Sequence, residues 1–351
     1  GVKGTTLKWH DSYLPDRTQK IVINGTESEP IDLVFGVHQG SVIGPNMFTM
    51  YTQPVHSIAH STDVSVHDYA DDTQIYTSFD LDDPNDITVA LQKVESCVEE
   101  ISCWMQVNKL KLNQDKTEFL VICHPRSKHK IRPVKIRVGE SLIAPENSVR
   151  NLGAIFDEGM TMSPHVIATC KAMNLSLRCI GRIRKYLDRD ATEKVIHALV
   201  TSKLDNNNCL LAGLPEYLIK KLQRLQNTAA RIVSRTRKHD HITPVLRDLH
   251  WLPVKQRIQY KILLYVYKSQ NNKAPSYLSN LMQSYYPTRT LRSQSSSRLI
   301  TRQTKRSTAG DRAFCTVGPR LWNALPKSVK NVESIDIFKS ELKKHLFSTL
   351  P

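Results

Sequence analysis

Apolar and polar positions alternate in short runs through the first 160 residues, separated by stretches of helical spacing; from about residue 162 the spacing is helical almost throughout. Runs at 19–23 and 31–35, with Asn24-Gly25 as a turn signal between them, predict a β-hairpin. Gly44-Pro45 opens a helix expected to reach about Ala59. Two more β-rich runs, 64–69 and 73–79, flank a very short acidic connection and predict a second hairpin. Asp83 as N-cap and Pro84 in the first turn begin a long helix, whose Ile87, Leu91, Val94, Val98, Ile101 and Met105 form one apolar stripe. Further strands are expected at 116–122, 134–138 and 149–156.

Beyond 162, prolines at 164, 215, 244, 253, 275 and 319 punctuate a series of helices. In 218–235, Leu218, Leu222, Leu225, Ala229 and Ile232 form an apolar stripe, and Lys221, Arg224, Arg231 and Arg235 a basic one about 100° around the helix. Such a helix can pack and contact phosphates at once. The segment 284–308, rich in Ser, Thr and Arg, is expected to be a mobile loop. A last helix, capped by Ser334, aligns Ile335, Phe338, Leu342 and Leu346. The pattern predicts an α+β layer of antiparallel sheet and helices over 1–160, a helical region over 161–235 and a basic helical region over 236–351, with no internal repeat.

At 351 residues, 40% hydrophobic and 23% charged, the chain has the balance of a folded soluble protein rather than of a coiled coil or a disordered tail. Its apolar runs, such as 262–266, fall far short of the roughly 20 residues needed to cross a bilayer. The N-terminus has neither an initiator Met nor a signal-peptide pattern, which reads as a piece of something longer. Seven scattered cysteines, without CxxC or zinc spacing, are expected to be reduced intracellular thiols, mostly in the core.

Charge changes the picture. The net of +16 is split unevenly: residues 1–160 carry 15 basic and 22 acidic side chains, and residues 161–351 carry 34 basic and 11 acidic. An acidic half beside a half of net +23 predicts a cation site next to a polyanion surface, the polyanion being nucleic acid or a membrane. From 249 to 310 there is no Asp or Glu, whereas Tyr260, Tyr265, Tyr267, Tyr277, Tyr285 and Tyr286 interleave with eleven Lys or Arg, a composition suited to backbone and stacking contacts. The basic residues spread over a whole domain rather than clustering beside an anchor, which disfavours a membrane.

The acidic connection is Tyr69-Ala70-Asp71-Asp72. Adjacent carboxylates held at a hairpin turn suit Mg²⁺, a hard ion bound by few carboxylates together with substrate phosphates. They are a candidate half of a two-metal phosphoryl-transfer site; such chemistry needs its ions roughly 3.5 to 4 Å apart, and at least one more carboxylate would have to come from elsewhere. Strand alternation points Asp71 and Asp72 to opposite faces and so predicts unequal roles for them.

Four ordered motifs then resemble one family. GVHQGSVIGP over 36–45, YADDT over 69–73, LNQDKTEF over 112–119 and NLGAIFD over 151–157 are similar to the palm motifs of reverse transcriptases from non-LTR retrotransposons, the LINE type and its CR1/L2-like group. The segments at 203–205, 222–231, 249–254 and 321–326 resemble that family's C-terminal tail. The resemblance implies a right-hand polymerase palm followed by a helical thumb, and an RNA-directed DNA polymerase working with two Mg²⁺ ions on RNA template, DNA primer and deoxynucleotides, in cytoplasm and nucleus and without a membrane. It implies that Asp71 and Asp72 are metal ligands, and that Gln39, Gly40, Ser41 and Tyr69 position template and nucleotide. Leu152 and Gly153 match the primer grip. Lys116 matches the lysine that protonates leaving pyrophosphate, with phosphate neutralisation or a plain surface role as its alternatives. The basic stripe is left for the nucleic-acid backbone.

The same resemblance implies that the family's first catalytic aspartate, its fingers and an endonuclease precede Gly1, so that the chain as it stands does not polymerise DNA. His38 stands where the family has Pro, His10 where an aromatic is common, and Asn206-Asn207-Asn208 where a Tyr/Cys run is usual, as in a divergent copy. The different-class alternative is a non-catalytic nucleic-acid-binding remnant of a retrotransposon.

Overall fold

The computed structural model describes residues 2–37, 40–131, 134–285, 298–304 and 309–350. The chain divides into two compact units, one made of 1–119 and 126–145, the other of 120–125 and 146–351. The second includes the hairpin near 150, which the sequence reading grouped with the first 160 residues. Helices and small antiparallel pairs are mixed, an α+β arrangement.

The first unit opens with helix α1 (Gly4–Tyr13). The strands β1 (Thr18–Gln19), β2 (Val22–Ile23), β3 (Thr26–Glu27) and β4 (Ile31–Asp32) then nest, β2 pairing with β3 and β1 with β4. Asn24 and Gly25 turn the chain with φ of 51° and 82°, the two positive values that a primed hairpin turn demands. The returning arm is therefore 26–32 rather than 31–35, because a two-residue turn brings the nearest residues into register. The helix expected over 44–59 is broken into α2 (Gly44–Thr52) and α3 (Pro54–Ser61), since Pro54 lacks the N–H that would continue the ladder.

Strands β5 (Ser65–Tyr69) and β6 (Asp72–Tyr76) form the second hairpin, and α4 (Pro84–Val107) follows with the Asp83 carboxylate accepting the Asn85 N–H at 2.9 Å. The most buried line of α4 is Ala90, Cys97 and Ile101, with the expected stripe residues Leu91, Val94 and Val98 only half-buried at its edge. Cys97 and Ile101 meet Val55, Ala59 and Val64 in a small core on which Val66 and Ile75 of the hairpin also pack. Strands β7 (Ile136–Val138) and β8 (Ser141–Ile143) complete the unit.

The second unit begins with β9 (Ser148–Asn151) and β10 (Ala154–Asp157), a hairpin where one strand over 149–156 was expected. Its helices are α5 (Ser163–Ile183), α6 (Arg189–Ile196), α7 (Ser202–Asp205), α8 (Glu216–Ser234), α9 (Thr243–Asp248), α10 (Val254–Gln270), α11 (Ser276–Ser279), α12 (Phe314–Ala324), α13 (Lys327–Lys330) and α14 (Ile335–Ser348). Helix α8 packs on α5, α6, α9 and α10, while α10 also packs on α12 and α14. One continuous core runs through them, from Met162 and Val166 to Phe338, Leu342 and Leu346. Ser334 caps α14 as the sequence predicts, accepting the Asp336 N–H at 3.3 Å.

Two expectations fail on burial. Of the seven free cysteines only Cys97 is buried, while Cys103 and Cys179 are exposed and the rest intermediate. Tyr267, expected among stacking aromatics, is fully enclosed, stacked on Phe338 at 4.1 Å. The mobile loop expected over 284–308 lies largely outside the described residues; its described ends meet where Ser284 bridges to Leu299.

Candidate active site and nucleic-acid interface

The β5–β6 ladder runs from Ser65 opposite Tyr76 to Tyr69 opposite Asp72, leaving Ala70 and Asp71 as the whole connection. Two-residue loops need positive φ at a central position, and Ala70 supplies it at 57°. The hairpin is anchored behind the turn. Asp68 on β5 reaches the Nε2 of His56 on α3 at 2.8 Å, and Val66 and Ile75 sit on the small core. At the tip a cavity of about 420 Å³ opens between the turn and the first turns of α2, lined by Pro45, Asn46, Phe48, Thr49, Tyr69, Ala70 and Asp71.

Asp71 and Asp72 are both exposed, but only Asp71 lines this cavity, so the two adjacent carboxylates are placed differently. Their chemistry fits the protein's share of one Mg²⁺, which takes one or two carboxylates and completes its shell with water and phosphate. Among the described residues no three His, Cys, Asp or Glu side chains converge to hold a metal ion by themselves. Asn46 and Thr49, one helical turn apart, add an amide and a hydroxyl to the cavity. They were legible only as helix residues after Gly44-Pro45.

The other predicted residues of this unit are dispersed. Gln39 and His38 lie outside the described residues. Gly40 turns with φ of 86°, Ser41 Oγ is 3.1 Å from the Tyr13 hydroxyl, and the Ser41 carbonyl accepts the Gly44 N–H that opens α2. Lys116 is exposed in a 3-10 turn over Gln114–Lys116, not on the strand expected at 116–122, and it is not among the residues lining the cavity. The Thr117 hydroxyl donates to the Asn113 carbonyl at 3.0 Å and holds that turn against extension.

In the second unit, Leu152 and Gly153 are the turn of the β9–β10 hairpin, with φ of 44° and 81°. The Asn207 amide donates to the Leu152 carbonyl at 2.9 Å, and a Cβ at Gly153 would come within 3.1 Å of the Asn206 amide. The asparagine run that departs from the family pattern is what braces this turn. Behind it, Asp157 accepts the N–H of Thr161 at 3.0 Å and of Met162 at 2.7 Å, fixing the entry to α5.

On α8, Leu218, Leu222 and Ala229 of the apolar stripe are buried and Leu225 and Ile232 half-buried, while the basic stripe is divided. Arg224 and Arg231 line a cleft of about 630 Å³ together with Asn227, Thr228, Ile232, Thr236 and Lys238. Lys221 lies outside it, its ammonium 5.8 Å above the Tyr217 ring. Arg235 is not on the helix: at φ 57° it is the residue that ends it. Arg231 is half-committed, donating to the Arg237 and Asp240 carbonyls at 3.2 and 3.1 Å, and so tying down the turn that carries Lys238.

Comparison with known proteins accords with these motifs. Residues 2–156 match the family model for reverse transcriptase, RNA-dependent DNA polymerase. The chain is 24% identical over 261 residues to a Drosophila melanogaster protein described as a probable RNA-directed DNA polymerase from transposon BS, a match covering 70% of this chain and 27% of that protein. It is 23% identical over 160 residues to the RNA-directed DNA polymerase from mobile element jockey of the same organism, covering 44% of this chain and 16% of that protein. No solved structure gives a significant match. The chain thus spans about a quarter or less of these relatives. Through residues 2–156 and the motifs they carry, the chain is similar to reverse transcriptases, and among proteins of known name to RNA-directed DNA polymerases of Drosophila mobile elements.

Proposed function

We propose that the chain works in RNA-directed DNA synthesis, as the palm and following helical regions of a non-LTR retrotransposon polymerase. Residues 1–160 are assigned to the palm, 161–235 to a thumb, and 236–351 to a basic region that holds nucleic acid. One observation carries the reading: the Tyr69–Asp72 turn presents Asp71 into a cavity beside the start of α2, on a hairpin fixed to a core. Asp71 and Asp72 would hold Mg²⁺, which when bound activates an attacking hydroxyl and neutralises charge on the transferred phosphate. Asn46, Thr49 and Tyr69 offer hydrogen bonds and a ring face to a nucleotide in the cavity. RNA template, DNA primer and deoxynucleotides are the substrates on this reading, and its cellular setting is cytoplasm and nucleus.

The test is incorporation of a labelled deoxynucleotide on an RNA template with a DNA primer and Mg²⁺, by this chain joined to a segment that supplies the family's first catalytic aspartate and fingers, since the chain alone is not expected to polymerise. Incorporation is expected to fall by at least about a hundredfold in Asp71→Asn and less in Asp72→Asn. Equal activity in the Asp71→Asn and unsubstituted forms of the joined chain, or none in the unsubstituted form, overturns it. A second reading, a nucleic-acid-binding protein without polymerase activity, is favoured by the net +23 of residues 161–351 and by the basic cleft on α8.

A further inference from the structure

We propose that Arg312 is a positioning residue for the primer, acting through the Leu152-Gly153 turn: its guanidinium ties together the two segments on which that turn stands. The proposal rests on the polymerase reading only in naming the primer as what the turn meets. Arg312 lies beyond residues 2–156, in the region whose cations the composition assigns to a polyanion. Yet it is half-buried, and its nitrogens are turned to backbone carbonyls.

All three guanidinium nitrogens are in use. Nη1 donates to the Met160 carbonyl at 2.7 Å, and Nε and Nη2 donate to the Ala212 and Leu210 carbonyls, each at 3.1 Å. Met160 belongs to the connection from β10 to α5, so one bond holds the chain as it leaves the hairpin. Leu210 and Ala212 belong to the connector after α7, and that connector also carries Asn206 and Asn207, whose amides lie against the tip of the hairpin. One side chain therefore fixes the base of the hairpin and the brace of its tip relative to each other. A planar fork with donors in set directions can do this, whereas a lysine has a single nitrogen to offer.

Both segments need holding. Met160 and Met162 have φ of 52° and 59°, and Leu152 and Asn207 have 44° and 51°, left-handed values that are unfavourable for residues with a Cβ. Such a backbone persists only where its surroundings over-determine it. Arg312 is itself held from behind, since its neighbour Asp311 accepts the Thr304 hydroxyl and lies 3.5 Å from the Arg320 guanidinium on α12. The fit is close on the other side, where a Cβ at Gly213 would come within 2.9 Å of the Arg312 Cγ. Burial holds the Arg312 pKa below its ordinary value, and the charge of Asp157, which fixes the entry to α5, works against that fall.

The test is amide hydrogen exchange over 148–157, read by mass spectrometry in the full chain and its variants. Arg312→Gln is expected to speed exchange there about tenfold or more, through the loss of the three bonds. Arg184→Gln is the control, because Arg184 also donates to three carbonyls of this unit, those of Leu187, Ile232 and Val233, none of them in the hairpin or its connector. It is expected to leave exchange over 148–157 within about twofold of the parent. Arg312→Lys, which keeps the stem and the charge, is expected to act in the same direction and takes the place of Arg312→Gln should that chain fail to fold. Asn207→Asp tolerates the left-handed backbone but cannot donate to Leu152; combined with Arg312→Gln, it is expected to speed exchange by less than the product of the two single effects. In the chain joined to the missing upstream segment, the KM for primer is expected to rise about fivefold or more in Arg312→Gln with the KM for deoxynucleotide unchanged, whereas a mere loss of folded protein lowers kcat and moves neither KM. Exchange no faster than in Arg184→Gln overturns the proposal, as does a primer KM equal to the parent's. A joined chain that makes no DNA overturns the polymerase reading, while the exchange contrast still decides whether Arg312 holds the turn.

Discussion

Tyr69 and Asp72 face each other as the last cross-strand pair of their hairpin, so the chain reverses through Ala70 and Asp71 alone. Ala70 carries the reversal at φ 57°, a conformation that costs an L-residue roughly 1–2 kcal/mol. The candidate metal ligand therefore sits directly after a strained residue, and its direction depends on that strain being held. Ala70→Gly is expected to relieve part of it, with a net gain of about 0.5 kcal/mol after glycine's entropic cost. Ala70→Val, β-branched, is expected to lose about 1–2 kcal/mol and to displace Asp71. Urea unfolding of the first unit measures both; a Val variant as stable as the parent would show the turn to be relaxed.

His165 makes a pH prediction for the second unit. It is buried on α5, and its Nδ1 accepts the Ile155 N–H at 3.4 Å, which requires the neutral ring. Burial first, and the Arg150 charge second, hold its pKa below the ordinary histidine value. A base whose folded pKa is depressed binds its proton more readily when unfolded, so its stability contribution is complete above about pH 6.5 and is lost as the pH falls below that value. The unfolding free energy of this unit is expected to drop between pH 6.5 and 5, and the drop to shrink in His165→Gln. A profile unchanged by that substitution would assign the acid sensitivity to other groups.

Local chemistry was what the sequence could show. Asn24-Gly25 and Asp83-Pro84 announce themselves because a primed turn and an N-cap are made by the residues themselves, and both are found. The run at 116–122 has the residues of a strand, but a strand needs a partner, and the Asn113–Thr117 turn keeps it from one. Pattern also cannot say which polar residues a helix spends on its own architecture. Gln223 and Arg231 look like surface residues of α8, yet one orients Asn227 and the other holds a turn. Asp71 was legible as a candidate from its turn, whereas Asn46 and Thr49 gain meaning only once α2 is placed beside it.

Tyr267 separates composition from location. In the sequence it is one of six tyrosines in an acid-free, basic stretch, and reads as a stacking platform for bases. In the structure its ring is stacked on Phe338 and its hydroxyl donates toward the carbonyls of Val332 and Glu333, each at 2.8 Å, which joins α10 to the chain leading into α14. Burial pushes its pKa up, in keeping with a phenol that stays protonated. Tyr267→Phe keeps the ring but strands those carbonyls, and is expected to cost about 1–2 kcal/mol. Its affinity for an RNA–DNA duplex, and the salt dependence of that affinity, are expected to equal the parent's, because a group enclosed in the core offers nothing to a base. Tyr277, well exposed at 69%, is the contrasting position: Tyr277→Ala should leave stability nearly unchanged. Calorimetry and anisotropy on the two variants decide the matter, and a Tyr267→Phe chain of parental stability with weakened duplex binding would return Tyr267 to the interface.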